Sequence, residues 1–273
     1  MECYHSPDLG DNIGHEYLID QLCKKLETLQ NSPKKINFLA TFQFILDAFL
    51  QDKRQYSRED TYSLSNGDIM GDLWFYYERM FVSYFFEDYE NAVVFADKGE
   101  ATTGMKDPSS DITLTILLGS LSRAALWKQT QASITRSRLF LRRRQVMASL
   151  RRDMKLVDKY SCRLPDFNLP KLYLIKAELA SIQGNHPRAL QAYKSAIGTS
   201  ANLRIDHALA HELTGRWYAD YMHNGNEALV HLEKARALYQ EWGASWKAAR
   251  LNDMIRKTER KSSVSLRARL KER

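Results

Sequence analysis

Apolar residues recur every three to four positions along almost the whole chain, the spacing of helices that bury one side. Tyr17, Leu18, Leu22, Leu26 and Leu29 mark a first helix closed by Asn31-Ser32-Pro33, and Ile36 to Leu50 a second. Residues 70–86 predict a third, crowded with Trp74, Phe75, Tyr76, Tyr77, Phe81, Tyr84, Phe85 and Phe86, and a tight turn at Phe86-Glu87-Asp88-Tyr89 leads into a fourth at 90–101. Aromatics on all sides of a helix point to burial between neighbours rather than to a ligand pocket. A fifth helix runs from near Pro108 to Trp127, and a long basic one covers about 130–160 with Leu139, Val146, Leu150, Met154 and Val157 on one stripe. Leu164-Pro165 and Leu169-Pro170 interrupt the pattern, which resumes as helices near 169–183, 187–199, 205–222, 226–241 and 245–260. Gly184, Gly225 and Gly243 fall at the joints, where a helix C-cap takes a left-handed backbone. No segment alternates for long enough to predict a strand, so the fold class is all-α.

The helices pair, and two of the pairs resemble each other. Gly184-Asn185-His186-Pro187-Arg188-Ala189-Leu190 continues through Tyr193 to Ala196, and Gly225-Asn226-Glu227-Ala228-Leu229 continues through Leu232 to Ala235. Ala189 matches Ala228, Leu190 matches Leu229, Tyr193 matches Leu232 and Ala196 matches Ala235, all at one offset; a fainter copy runs from Tyr89 through Ala92 to Ala96. Small residues let one helix approach another, and a large one a turn later fills the gap between neighbours. The pattern resembles the second helix of the tetratricopeptide (TPR) repeat, which implies a right-handed α-solenoid of antiparallel helix pairs over residues 15–257. Residues 1–14 are expected to be a flexible N-terminus and 258–273 a basic C-terminal tail. The competing expectation is an irregular all-α domain with two similar hairpins, because a repeat array needs about three units.

Charge changes this picture locally. The net +7 of the chain is uneven: residues 136–155 carry +7, the segment from Arg256 to Arg273 carries +6, and the remainder therefore carries −6. Twelve Gly and six Pro in 273 residues are too few for a multi-stranded β fold. No apolar run reaches the roughly 18 residues of a membrane span. The start of the chain lacks the basic and apolar regions of a secretory signal. Three dispersed cysteines, Cys3, Cys23 and Cys162, suggest a reducing compartment, and the expected location is the cytoplasm.

Several segments resemble the TPR-like helical region of large signalling proteins that join a kinase-like domain, a STAND-type ATPase and a sensor histidine kinase. The most specific is Ala237-Leu238-Tyr239-Gln240-Glu241-Trp242-Gly243-Ala244 with Lys247 and Leu251 after it. Asp206-His207-Ala208-Leu209-Ala210-His211-Glu212-Leu213 with Arg216-Trp217-Tyr218, Lys176-Ala177-Glu178-Leu179-Ala180 with Gln183-Gly184, and Phe85-Phe86-Glu87-Asp88-Tyr89 with Ala92 are similar to further family positions. The resemblance spans roughly residues 15–255 and implies architecture and company, not catalysis. No Gly is followed by Lys as in a Walker A loop, and neither His-Arg-Asp nor Asp-Phe-Gly occurs.

Candidate chemistry is sparse. His207 and His211 lie one turn apart, but a zinc site needs a third ligand that the linear spacing does not offer, so packed or solvated imidazoles are expected. Glu87, Asp88 and Glu90 cluster at a turn where solvation, not acid–base work, is expected. The basic patch Arg138, Arg142, Arg144, Arg151 and Arg152 offers forked donors to an acidic or phosphate-bearing partner. If TPR geometry holds, Lys171, Leu174, Glu178, Ser181, Leu213, Trp217 and Asp220 face a partner-binding groove. The expectation is a non-catalytic scaffold with no cofactor and no metal, binding a protein or peptide partner. The alternatives are the regulatory arm of a STAND-type ATPase or kinase and, behind it, a basic-helix nucleic-acid binder.

Overall fold

The structure, a computed structural model, describes residues 69–103, 110–133 and 135–271. The helices expected at 17–31 and 36–50 and the N-terminal segment 1–14 lie outside the described residues. Within them every regular element is helical: α1 (Ile69–Phe85), α2 (Tyr89–Thr103), α3 (Ser110–Thr130), α4 (Arg136–Ser161), α5 (Pro165–Gln183), α6 (His186–Thr199), α7 (Arg204–Asp220), α8 (Gly225–Glu241) and α9 (Ser245–Lys271). No helix among them is long and apolar enough to cross a membrane.

Neighbours in sequence are neighbours in space: α1 packs on α2, α5 on α6, α7 on α8, and α8 on α9. First helices also touch one another, α3 against α5 and α5 against α7. The matched repeat positions form the seams. Ala189, Tyr193 and Ala196 of α6 are fully buried, as are Ala228, Leu232 and Ala235 of α8, and Ala92, Ala96 and Gly99 of α2 are buried too.

The joints repeat as well. Glu87, Gly184 and His223 each adopt positive φ (64°, 78° and 49°), and each is followed by an Asx residue that caps the next helix. Asp88 accepts from the Asn91 N–H, Asn185 from Arg188 and Asn224 from Glu227. Gly225 is therefore not a left-handed cap as expected; it lies inside α8, and His223 takes that backbone. Gly225 is a close-approach position instead, since a Cβ there would fall 1.8 Å from Ser262 Oγ of α9. Gly243 does take the expected conformation, with φ 87°.

Two boundaries differ from the pattern. α5 begins at Pro165 and runs through Pro170, where the sequence suggested a break. Pro170 forfeits one backbone bond near the helix start, whereas burial of Asn168, Leu172, Leu174 and Ile175 holds the turn, and Asn168 Nδ2 donates to Tyr160 O at 3.1 Å. α9 continues past 260 to Lys271, so the basic segment extends a helix. The aromatic helix is core as expected, with Phe81, Tyr84, Phe85 and Phe86 buried.

Gly215 of α7 marks a close crossing with α8. A Cβ there would lie 2.8 Å from Leu232 Cγ and 3.1 Å from Ala228 O. Gly215→Ala must push α8 outward and is expected to lower stability by about 1–3 kcal/mol. Urea denaturation checks this: the midpoint falls with unchanged slope.

Candidate functional site

The sequence placed a partner groove along α5 and α7, yet the structure fills most of it with the chain's own side chains. Lys171, Leu174, Glu178, Ser181 and Trp217 are buried, Leu213 is half-buried, and only Asp220 is exposed. Glu178 Oε1 accepts from Tyr193 Oη at 2.7 Å, and its other oxygen pairs with Lys128 of α3 at 2.6 Å. Lys171 Nζ pairs with Asp206 of α7 at 2.5 Å and donates to Phe167 O. Burial lowers the Lys171 pKa and raises that of Asp206, with the ion pair partly offsetting each shift.

The deepest constellation surrounds Glu212 of α7. Its Oε1 accepts from Lys247 Nζ of α9 at 2.8 Å and from Arg216 Nη2 at 2.7 Å, and its Oε2 accepts from Tyr239 Oη of α8 at 2.8 Å. Burial would raise its pKa, but Lys247, Arg216 and the hydrogen bonds outweigh burial and hold the carboxyl below its ordinary value. Arg216 also pairs with Glu87 at the α1–α2 turn, and Arg250 of α9 reaches the second Glu87 oxygen at 2.8 Å.

Glu87 corrects the expectation of a solvated turn. Burial acts to raise its pKa, yet Arg216 and Lys247, with hydrogen bonds from Arg216 and Arg250, bring it down to about 2. The turn is a Schellman motif, with Asp88 N–H to Ser83 O at 2.9 Å and Glu87 N–H to Tyr84 O at 3.0 Å. Its left-handed position usually belongs to Gly; a glutamate there costs about 1 kcal/mol and places a carboxylate between two arginines. Aromatic contacts seat the same turn: Phe86 stacks on Trp246 at 4.1 Å, and Phe85 meets Tyr239 and Trp242 at 6.2 and 6.1 Å.

Next to this network the structure adds a residue that spacing did not find. His231 of α8 joins His207 and His211 of α7, its Nδ1 lying 3.0 Å from His211 Nδ1, with Tyr218 stacked on its ring. His207 turns its Nδ1 to Ser200 Oγ at 3.0 Å instead. Among the described residues no group of three or more His, Cys, Asp or Glu side chains is arranged to hold a metal. Burial, then the neighbouring His207, His231 and Lys234, lowers the His211 pKa to about 4.

One surface recess is larger. A cleft of about 870 Å³ lies between the end of α7 and the second half of α9, lined by Arg216, Ala219, Asp220, Leu229, Met254 and Lys257 among others, with the first turn of α8 alongside.

On the opposite flank, Arg138, Arg144 and Arg151 of α4 are exposed and Arg142 is half-buried, and none meets a carboxylate among the described residues. Arg152 departs from the expected patch. It is tied to Glu100 of α2 and to the fully buried Asp153, which also accepts from Ser120 Oγ at 2.8 Å. No family model matches the chain, and no curated protein or solved structure shows significant similarity to it.

Two measurements follow from the buried charges. Glu212→Ala leaves Lys247 buried without its carboxylate and is expected to cost about 3–5 kcal/mol, read as a loss of the denaturation midpoint. The His211 pKa falls on folding, so the unfolded chain binds the extra proton and stability drops as pH falls from about 6.5 to about 4. The Glu87 pKa also falls on folding, so its contribution is present above about 4.5 and is lost towards about 2. Thermal scans should show His211→Gln flattening the upper part of this acid limb and Glu87→Gln the lower part.

Proposed function

We propose that the chain is a TPR-like α-solenoid that serves inside the cell as a non-catalytic scaffold and binds a protein segment in the cleft between α7 and α9. Three second helices that share an Asx cap, a preceding left-handed residue and buried small positions two turns apart support the repeat reading. Four of the buried carboxylates, Asp153, Glu178, Asp206 and Glu212, are each engaged by side chains of the same chain, which suits a rigid frame.

The observation that carries the functional reading is the cleft itself. Its walls come from the end of α7, the α7–α8 turn with the start of α8, and the second half of α9. It alternates apolar floor, Ala219, Leu229 and Met254, with Asp220, Lys257 and Lys261 at its edges. A short peptide segment with one or two apolar side chains and mixed charge matches those walls.

Ala219 lines the cleft beside Arg216, and its own side chain makes none of the Glu212 hydrogen bonds, so Ala219→Trp fills the cleft without removing any of them. A partner captured by the unaltered chain and titrated by calorimetry should lose at least about tenfold in affinity to this variant, the share expected when a central contact is blocked. Equal affinity of the two chains, with equal helix content by circular dichroism, would overturn the cleft as the binding site.

A further inference from the structure

We propose that the first ten residues of α4 form a docking tip for an anionic lipid bilayer, entering the headgroup layer without crossing it. The residues that α4 buries begin only at Val146, so residues 136–145 stand largely clear of the core. This stretch holds five arginines and no acidic residue. Arg143 is committed to the body, its guanidinium donating twice to Ile182 O at 3.1 and 2.8 Å where α5 ends. Arg136, Arg138, Arg142 and Arg144 meet no carboxylate among the described residues. Between them Phe140 is 64% exposed and Leu141 58% exposed.

Two large apolar side chains held out in water beside four unpaired guanidinium groups are unfavourable unless something receives both. The pattern decides what. A helix that docks in a protein groove presents apolar anchors at i, i+3 or i+4, and i+7. From Phe140 those positions are Arg143, Arg144 and Met147, and from Leu141 they are Arg144, Gln145 and Ala148, so the exposed apolar stripe ends within one turn. Met147 packs against the core. Adjacent residues on a helix diverge by about 100°, so Phe140 and Leu141 form a broad apex instead of a ridge.

A fluid, planar interface accepts such an apex. The apolar side chains reach the acyl boundary while the surrounding arginines fork onto lipid phosphates. Nucleic acid would satisfy the arginines but leave Phe140 and Leu141 facing phosphates. Outside the two basic clusters the chain carries −6, so a negatively charged membrane attracts the clusters and repels what lies outside them. The inference does not depend on the cleft between α7 and α9.

The test is co-sedimentation of the full chain with phosphatidylcholine vesicles, with and without about 30 mol% phosphatidylserine, at about 0.15 M salt. Binding to the anionic vesicles alone is expected. The double variant Phe140→Ser/Leu141→Ser should weaken it by roughly tenfold or more, as should Arg138→Glu/Arg144→Glu. These four positions bury little, so circular dichroism should show unchanged helix content. No partition onto anionic vesicles overturns the proposal, as does equal partition onto neutral ones. Undiminished vesicle binding by the Phe140/Leu141 variant overturns it too. So does tighter binding to duplex DNA or to an acidic polypeptide than to anionic vesicles, because the tip would then recognise charge alone.

Discussion

A carboxylate closed off from water is tolerated only where donors surround it, and Glu212 is such a carboxylate. Its partners come from three helices, Arg216 from its own, Tyr239 from α8 and Lys247 from α9, and through Arg216 the chain of contacts reaches Glu87. Taking a charge out of water is costly enough that these elements cannot drift apart singly. The arrangement therefore fixes where the α1–α2 turn lies against α7 and α9.

That placement is what separates this chain from a simple stack of like units. In an array held by nearest-neighbour contacts each pair leans only on the next. Here the tip of the first described pair inserts beside the last helix, with Phe86 on Trp246 and Glu87 on Arg216 and Arg250. The left-handed backbone of Glu87 makes sense in this light. Local backbone preference favours glycine at Glu87, and a distant pair of arginines overrides it.

Much of the helical frame was legible in the chain itself, because periods of apolar residues and the Asx caps act locally. Ala189, Tyr193 and Ala196, and their counterparts Ala228, Leu232 and Ala235, lie in the seams where the repeat predicted them. Local signals misled where tertiary burial won, as at Pro170, and where a neighbouring residue took a special backbone, as at His223 in place of Gly225. The segments Phe85–Tyr89, Glu212–Arg216 and Tyr239–Lys247 stood out in the sequence, but their meeting did not. Spacing along a chain carries no information about contacts 129 or 163 residues apart. His231 escaped for the same reason, since it joins His211 from another helix. Exposure of Arg138, Arg144 and Arg151 followed from the buried stripe of α4, whereas the internal pairing of Arg152 depended on α2.

The reach of the Glu87 contacts also sets a schedule for synthesis. Arg250 is polymerised 163 residues after Glu87, which at typical rates of 5–20 residues per second is a delay of roughly 8–30 s. During that interval Phe86 lacks Trp246, and Phe85 lacks Tyr239 and Trp242. The nascent helices can pair with those beside them, but the contacts of the α1–α2 turn with α9 form only once Trp246 and Arg250 have left the ribosome. Maturation of this protein is thus late and all at once, and the interval before those contacts form is when its aromatic turn is open to chaperones and to misassembly with other chains.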